Sequence, residues 1–238
     1  MNKTFIFTLL FSFFAAFTHA QEFSFGLKGG VNYAMGGEVQ GLSSFVGGMD
    51  RYSTATYNPD SNIGFHGGAF VELKFGKFLV RPEVLYLSAE TEFNFVNITS
   101  PYTVDYLMIP LLVGYNIYGP IDVYAGPAYQ NVIDATFEEN IADPIVVQNS
   151  PLAGQVGIKA GVGRFELDLR YSRSLASEEL QEIDVQNDNT LIEGTNQMDG
   201  VNRANFDGRL HHVLLSLSFK LFDSEANPGR RSGGGCYF

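Results

Sequence analysis

The stretch Leu152–Leu175, LAGQVGIKAGVGRFELDLRYSRSL, decides the fold. It reads as two short strands joined by a tight turn at Gly163-Arg164. On the second strand Phe165, Leu167, Leu169 and Tyr171 alternate with Glu166, Asp168, Arg170 and Ser172. On the first, Val156, Ile158, Ala160 and Val162 alternate with Gln155, Gly157, Lys159 and Gly161. A period of two, with apolar and charged residues on opposite faces, is a β-hairpin set between two different surroundings. A soluble sheet buries the apolar face and solvates the charged one. A membrane barrel does the reverse, with lipid against the apolar face and a polar lumen inside.

The same alternation recurs along the chain. Strands are predicted over Phe23–Met35, Asn62–Phe75, Phe78 to about Ala89, Tyr102–Tyr118, Ile121 to about Val132, the two strands of the hairpin, and a last strand ending at Phe222. Tight turns fall at Gly76-Lys77, Gly119-Pro120 and Gly163-Arg164. Long connections fall over Gly36–Ser61, from about Glu90 to Pro101, over Ile133–Ser150 and over Ala176–Asp207. Long and tight connections thus alternate, as in bacterial outer-membrane barrels with short periplasmic turns and long external loops. An even strand number closes such an order without a free edge. The predicted fold is all-β: an eight-stranded antiparallel up-and-down transmembrane β-barrel. Pro82, Pro110 and Pro127 each lose a ladder hydrogen bond inside a predicted strand, and bulges are expected there.

Residues 1–20 read as a secretory signal, with Lys3, an apolar run from Phe5 to Phe17, and Thr18-His19-Ala20 before the cut. Removing 20 of 238 residues leaves 218, a barrel over 21–222 and a polar tail over 223–238, expected to be disordered. Cleavage takes Lys3 with it, so 14 basic residues face 26 acidic ones, a net charge of −12. That balance argues against a nucleic-acid partner. Cys236 is the sole cysteine, so no internal disulfide can form.

The expected lipid-facing set includes Phe65, Val71, Val84, Leu167, Leu169, Tyr171, Leu215, Leu217 and Phe219. Aromatic girdles are expected from Phe25, Phe75, Phe78, Phe165 and Phe222 at the tight-turn end, and from Tyr33, Tyr86 and Tyr171 toward the long loops. The inward set is Lys28, Glu72, Lys74, Arg81, Glu83, Lys159, Glu166, Asp168, Arg170 and Lys220, six bases against four acids. An eight-stranded barrel leaves room inside for side chains and little else. An ion-pair network of Glu72, Lys74, Arg81, Glu83, Lys159, Glu166, Asp168 and Arg170 is therefore expected, filling the lumen.

Other chemistries find less support. Glu166 with Asp168, or Glu72 with Glu83, could serve as a hydrolytic carboxylate pair, but cations interleave them. His66, His211 and His212 have no serine in a GxSxG context. Asp184–Asn189 lacks the spacing and glycine of an EF-hand loop. No enzyme activity, cofactor or metal is expected.

Four stretches carry a family resemblance: Phe25-Gly26-Leu27-Lys28-Gly29-Gly30-Val31-Asn32; Val80-Arg81-Pro82-Glu83-Val84-Leu85-Tyr86; Tyr106-Leu107-Met108-Ile109-Pro110-Leu111-Leu112; and Leu167-Asp168-Leu169-Arg170-Tyr171-Ser172. With the Ala125-Gly126-Pro127 step, the chain over about residues 22–222 resembles the PorT-like small outer-membrane β-barrels of Bacteroidetes, of OmpA/OmpX-like architecture. The resemblance implies a place in the outer membrane, recurrent strand prolines and, for some members, a link to secretion and gliding machinery. It offers no catalytic residues. The expected partners are outer-membrane lipid and proteins reached through Gly36–Ser61 and the acidic Ala176–Asp207 loop. The alternative is a soluble periplasmic or secreted β-barrel with its apolar faces turned inward around an apolar ligand.

Overall fold

The computed structural model describes residues 22–46, 49–52, 56–94, 99–137, 151–175, 181–184 and 203–224. The expected signal segment, the tail with Cys236 and most of the acidic loop lie outside the described residues.

Eight strands form a ring: β1 (Glu22–Val46), β2 (Ile63–Phe75), β3 (Phe78–Asn94), β4 (Thr99–Tyr118), β5 (Ile121–Phe137), β6 (Leu152–Val162), β7 (Phe165–Ser174) and β8 (Arg203–Asp223). Each pairs antiparallel with the next, and β8 pairs back onto β1 from Ser24↔Asp223 to Ser43↔Arg203. The ring is therefore closed in up-and-down order. The short strands Met49–Tyr52 and Thr56–Tyr57 add to β1, Asp60–Ser61 to β3, and Gln181–Asp184 to β8. The three tight turns open on Gly76, Gly119 and Gly163, at φ 63°, 52° and 61°. A left-handed first residue lets a two-residue loop match the twist of its flanking strands.

The two faces of the wall have opposite chemistry. Phe65, Val84, Leu167, Leu169, Tyr171, Leu215, Leu217 and Phe219 are exposed on the outside, and Val71 is half-buried there. Leu73 shares their parity but is buried. Glu72, Arg81, Glu83, Glu166, Asp168, Arg170 and Lys220 of the same strands are buried inside. The soluble alternative required the apolar faces to point inward, and over this band they point outward. Aromatic rings gather at the tight-turn end: Phe25 stacks on Phe222 with centroids 5.7 Å apart, and Phe78 meets Tyr115 and Phe165 meets Phe219 at 5.1 Å. Tyr33, Tyr86 and Tyr171 are exposed further along the wall.

Two expectations are corrected. The strands run past their predicted ends, β1 to Val46, β3 to Asn94, β5 to Phe137, and β8 from Arg203. The sequence predicts loops there because the outward residues turn polar, as with Glu90 and Glu92 on β3. Their backbones keep pairing all the same. The prolines do not sit at bulges. Opposite Pro82 the β2–β3 ladder skips Val71 and Glu72; opposite Pro110 the β3–β4 ladder skips Glu83 and Val84; opposite Pro127 the β4–β5 ladder skips Leu111 and Leu112. Register is unchanged across each gap. A missing N–H interrupts the ladder without adding a residue.

On β3 the apolar outward row runs nine residues, from Phe78 to Tyr86, enough for a tilted transmembrane strand. The remaining residues to Asn94 carry the barrel beyond that band by roughly 26 Å of strand. Leu169→Arg, mid-band and 49 % exposed, is expected to lower stability by about 2–4 kcal/mol in lipid vesicles. Thr136→Arg, exposed on the extension, should change it by less than about 0.5 kcal/mol. Urea unfolding of the vesicle-embedded protein measures both.

Candidate functional site

The lumen is the candidate site, and the strand period builds it. In β2, β3, β6, β7 and β8 every second residue points inward, which brings Glu72, Arg81, Glu83, Lys159, Glu166, Asp168, Arg170 and Lys220 to one level near the tight turns. Lys28 of β1 joins them.

Arg81 is the hub. Its Nε–H donates to Glu83 Oε1 at 2.8 Å, and Nη1 reaches Glu72 Oε2 at 3.0 Å and Glu166 Oε2 at 2.5 Å. Nη2 donates to Ser218 Oγ at 3.1 Å. The guanidinium lies over the ring of Phe70, 3.8 Å from its centroid, a placement that favours a cation against an aromatic face. Arg170 forks onto Glu83, with Nη1–Oε2 at 2.8 Å and Nη2–Oε1 at 3.0 Å. Its Nε–H donates to Tyr124 Oη at 3.0 Å, and that hydroxyl donates to Asp168 Oδ1 at 2.6 Å. Gly157 lies beneath the Tyr124 ring; a Cβ there would strike the hydroxyl end of the tyrosine. Lys28 reaches Asp168 at 2.9 Å and Glu83 at 3.6 Å. Lys159 pairs with Glu72, with Asp122 at 3.3 Å and with Glu166 at 3.3 Å. Lys220 spans Glu166 at 3.3 Å and Asp223 at 3.2 Å.

The buried members are Lys28, Arg81, Lys159, Arg170 and Lys220 against Glu72, Glu83, Asp122, Glu166 and Asp168. Five cations face five anions. The expected excess of bases is corrected by two residues. Asp122, near the start of β5, supplies an acid that sequence reading passed over because the faces of β5 carry mixed residues. Lys74 sits at the rim, 26 % exposed and 3.9 Å from Glu72. A neutral, cross-linked set is what burial of so many charges demands, since an unpaired charge here would be costly.

Above this layer the lumen turns apolar. Leu85, Leu87, Phe93, Met108, Leu210 and Leu214 form a buried cluster with Tyr102, Tyr106 and Phe206. Phe206 meets Phe93 and Tyr102 edge-on, at 5.9 and 5.1 Å. Between the layers His66 Nε2 lies 2.8 Å from Ser216 Oγ. His66 Nδ1 has no hydrogen-bond partner among the described residues, so no carboxylate orients that ring as a catalytic triad would require. His212 is buried against Tyr106, and His211 points outward.

Residues 18–179 match the family model described as outer membrane protein beta-barrel domain. None of the curated proteins matches the chain. Among solved structures, the chain is similar to the outer membrane protein OprG from Pseudomonas aeruginosa, at 14 % identity and TM-score 0.52, covering 85 % of this chain and 97 % of that one. It is also similar to Neisserial surface protein A (NspA), at 12 % identity and TM-score 0.43, covering 83 % of this chain and 97 % of that one. The likeness to OprG is one of fold.

Arg81→Met would leave Glu72, Glu83 and Glu166 short of their shared cation. It is expected to destabilise the folded barrel by about 3–5 kcal/mol, read as a shift in the urea midpoint.

Proposed function

The chain belongs to the outer membrane protein beta-barrel domain family, and from that premise we propose that it serves as a sealed membrane platform rather than a conduit. It resides in the bacterial outer membrane. The observation that carries the reading is the lumen: five buried cations cross-linked to five buried anions, with an apolar cluster stacked on them. A pore needs a continuous wet path, and neither layer offers one. A proton wire would need a chain of groups free to exchange partners, whereas Arg81 and Arg170 are each held by several acceptors at once.

What the barrel offers its surroundings is its outside. Lipid contacts the band of Phe65, Val71, Val84, Leu167, Leu169, Tyr171, Leu215, Leu217 and Phe219. Beyond the band, the extended ends of β1, β3, β4, β5 and β8 form a polar collar on which protein partners would dock. The reading takes residues 1–20 as the export signal and places the long connections outside the cell. Arg81-Pro82-Glu83 and the Leu167–Ser172 row support a PorT-like member, and with it a role beside secretion machinery. No hydrolytic role is assigned to Glu166, Asp168 or the histidines, since the carboxylates are occupied by cations.

Planar-bilayer recording of the purified, refolded chain in concentrated KCl tests the platform. The expected record is flat at all voltages. Steady, reproducible conductance steps would sink the reading.

A further inference from the structure

On the β6–β7–β8 wall two features meet where the apolar band ends. The outward row of β7 runs Leu167, Leu169, Tyr171, Arg173, and that of β8 runs Leu215, Val213, His211, Arg209. Arg173 lies opposite His211 in the ladder. Arg209, one outward step further, is held by Asp207, with Nη2–Oδ2 at 2.6 Å. Arg173 is exposed and has no ion-pair partner among the described residues. Its neighbour on β6 is Gly154, which brings no side chain of its own; the atoms nearest to a Cβ placed there belong to Leu175, at 3.6 Å.

Directly below this basic corner the outer wall is indented. A shallow, open groove of about 320 Å³ is lined by Val156, Gly157, Ile158, Leu169, Arg170, Tyr171 and Val213. The corner is also distinctive around the rim. Outward positions at a comparable height on β3, β4 and β5 hold Glu90, Glu92, Asp105 and Asp134, with Asp105 directly opposite Asp134. Among the described outward residues at this height, the arginines are on β7 and β8, with Asp207 and, across the seam, Glu38 beside Arg209.

An apolar groove ending under two arginines and a histidine matches an amphiphile with an anionic head. Guanidinium groups bind phosphate oxygens in a fork and rest at the level of lipid headgroups with their stems in the apolar layer. We propose that the β6–β7–β8 wall binds one phosphorylated lipid of the surrounding leaflet, an acyl chain in the Val156–Val213 groove and a phosphate among Arg173, His211 and Arg209. This rests on the outer-membrane reading, with the long connections on the side where that leaflet carries phosphorylated glycolipid.

Native mass spectrometry of the full chain in detergent, incubated with a diphosphorylated glucosamine lipid, tests the site. The wild type is expected to retain one lipid. An R173Q/R209Q double variant should retain about tenfold less. Gly154→Phe, which adds a ring beside Arg173 and leaves every charge in place, should also lose the lipid. E90Q/E92Q on the opposite rim should behave as wild type. The site is overturned if the double variant retains lipid as the wild type does, if the dephosphorylated lipid binds as well, or if equimolar inorganic phosphate displaces the lipid. Gel migration before and after boiling accompanies each sample. A wild type that shows no heat-dependent shift would overturn the barrel reading, and the lipid site with it.

Discussion

Ten charged side chains buried in the lumen, five of each sign, constrain everything else in this barrel. Their sum is zero, and each is answered by an opposite charge within reach. A buried ion pair is no guarantee of stability, because desolvation opposes attraction. Removing one partner, however, leaves an uncompensated charge in a low-dielectric space. Arg81 touches three carboxylates and Arg170 two, so the strands carrying them cannot slide against β2, β7 or β8 without breaking several contacts. The network therefore holds the register, in a wall whose ladders are interrupted opposite three prolines.

The second organising feature is a reversal within single strands. On β3 the outward row runs from Phe78 through Val84 to Tyr86 and then becomes Ser88, Glu90 and Glu92. The inward row runs from Arg81 and Glu83 to Leu85, Leu87 and Phe93. The period stays at two while the chemistry of the faces trades places. One end of the ring is built for lipid outside and charge inside. The other is built as a water-soluble barrel, polar outside and apolar inside. β8 repeats the pattern from the opposite direction, with Phe206, Leu210 and Leu214 inward before Ser216, Ser218 and Lys220.

This reversal explains what could be read from the sequence alone. Within the band, period-two alternation places the apolar and charged faces of β2, β3, β7 and β8, and the Gly-led turns set the hairpins. Eight strands and their up-and-down order follow from the alternation of connection lengths. Beyond Tyr86 and before Val213 the rule for which face is apolar inverts, so the strand extensions resemble polar loops. Asp122 was missed for a related reason: β5 mixes Val123, Tyr124 and Ala125 over both faces, and parity is hidden until its neighbours pin the register. The basic corner of Arg173, His211 and Arg209 is likewise invisible in one dimension, since it joins two strands separated by the longest connection.

The β1–β8 seam closes the ring. Ser24 meets Asp223 and Lys28 meets Ser218, pairing the two ends of the ring across nearly the whole chain. The hairpins at Gly76, Gly119 and Gly163 join residues only a few positions apart. Assembly therefore has a natural sequence, with local hairpins early and the seam late, because long-range closure carries the larger entropy cost. Lys28 and Ser218 receive their partners, Asp168 and Arg81, only across a rolled sheet. Until the seam shuts, the charges need water. An open sheet is thus barred from the hydrocarbon twice over, by its bare edges and by its wet interior, and membrane entry is coupled to ring closure.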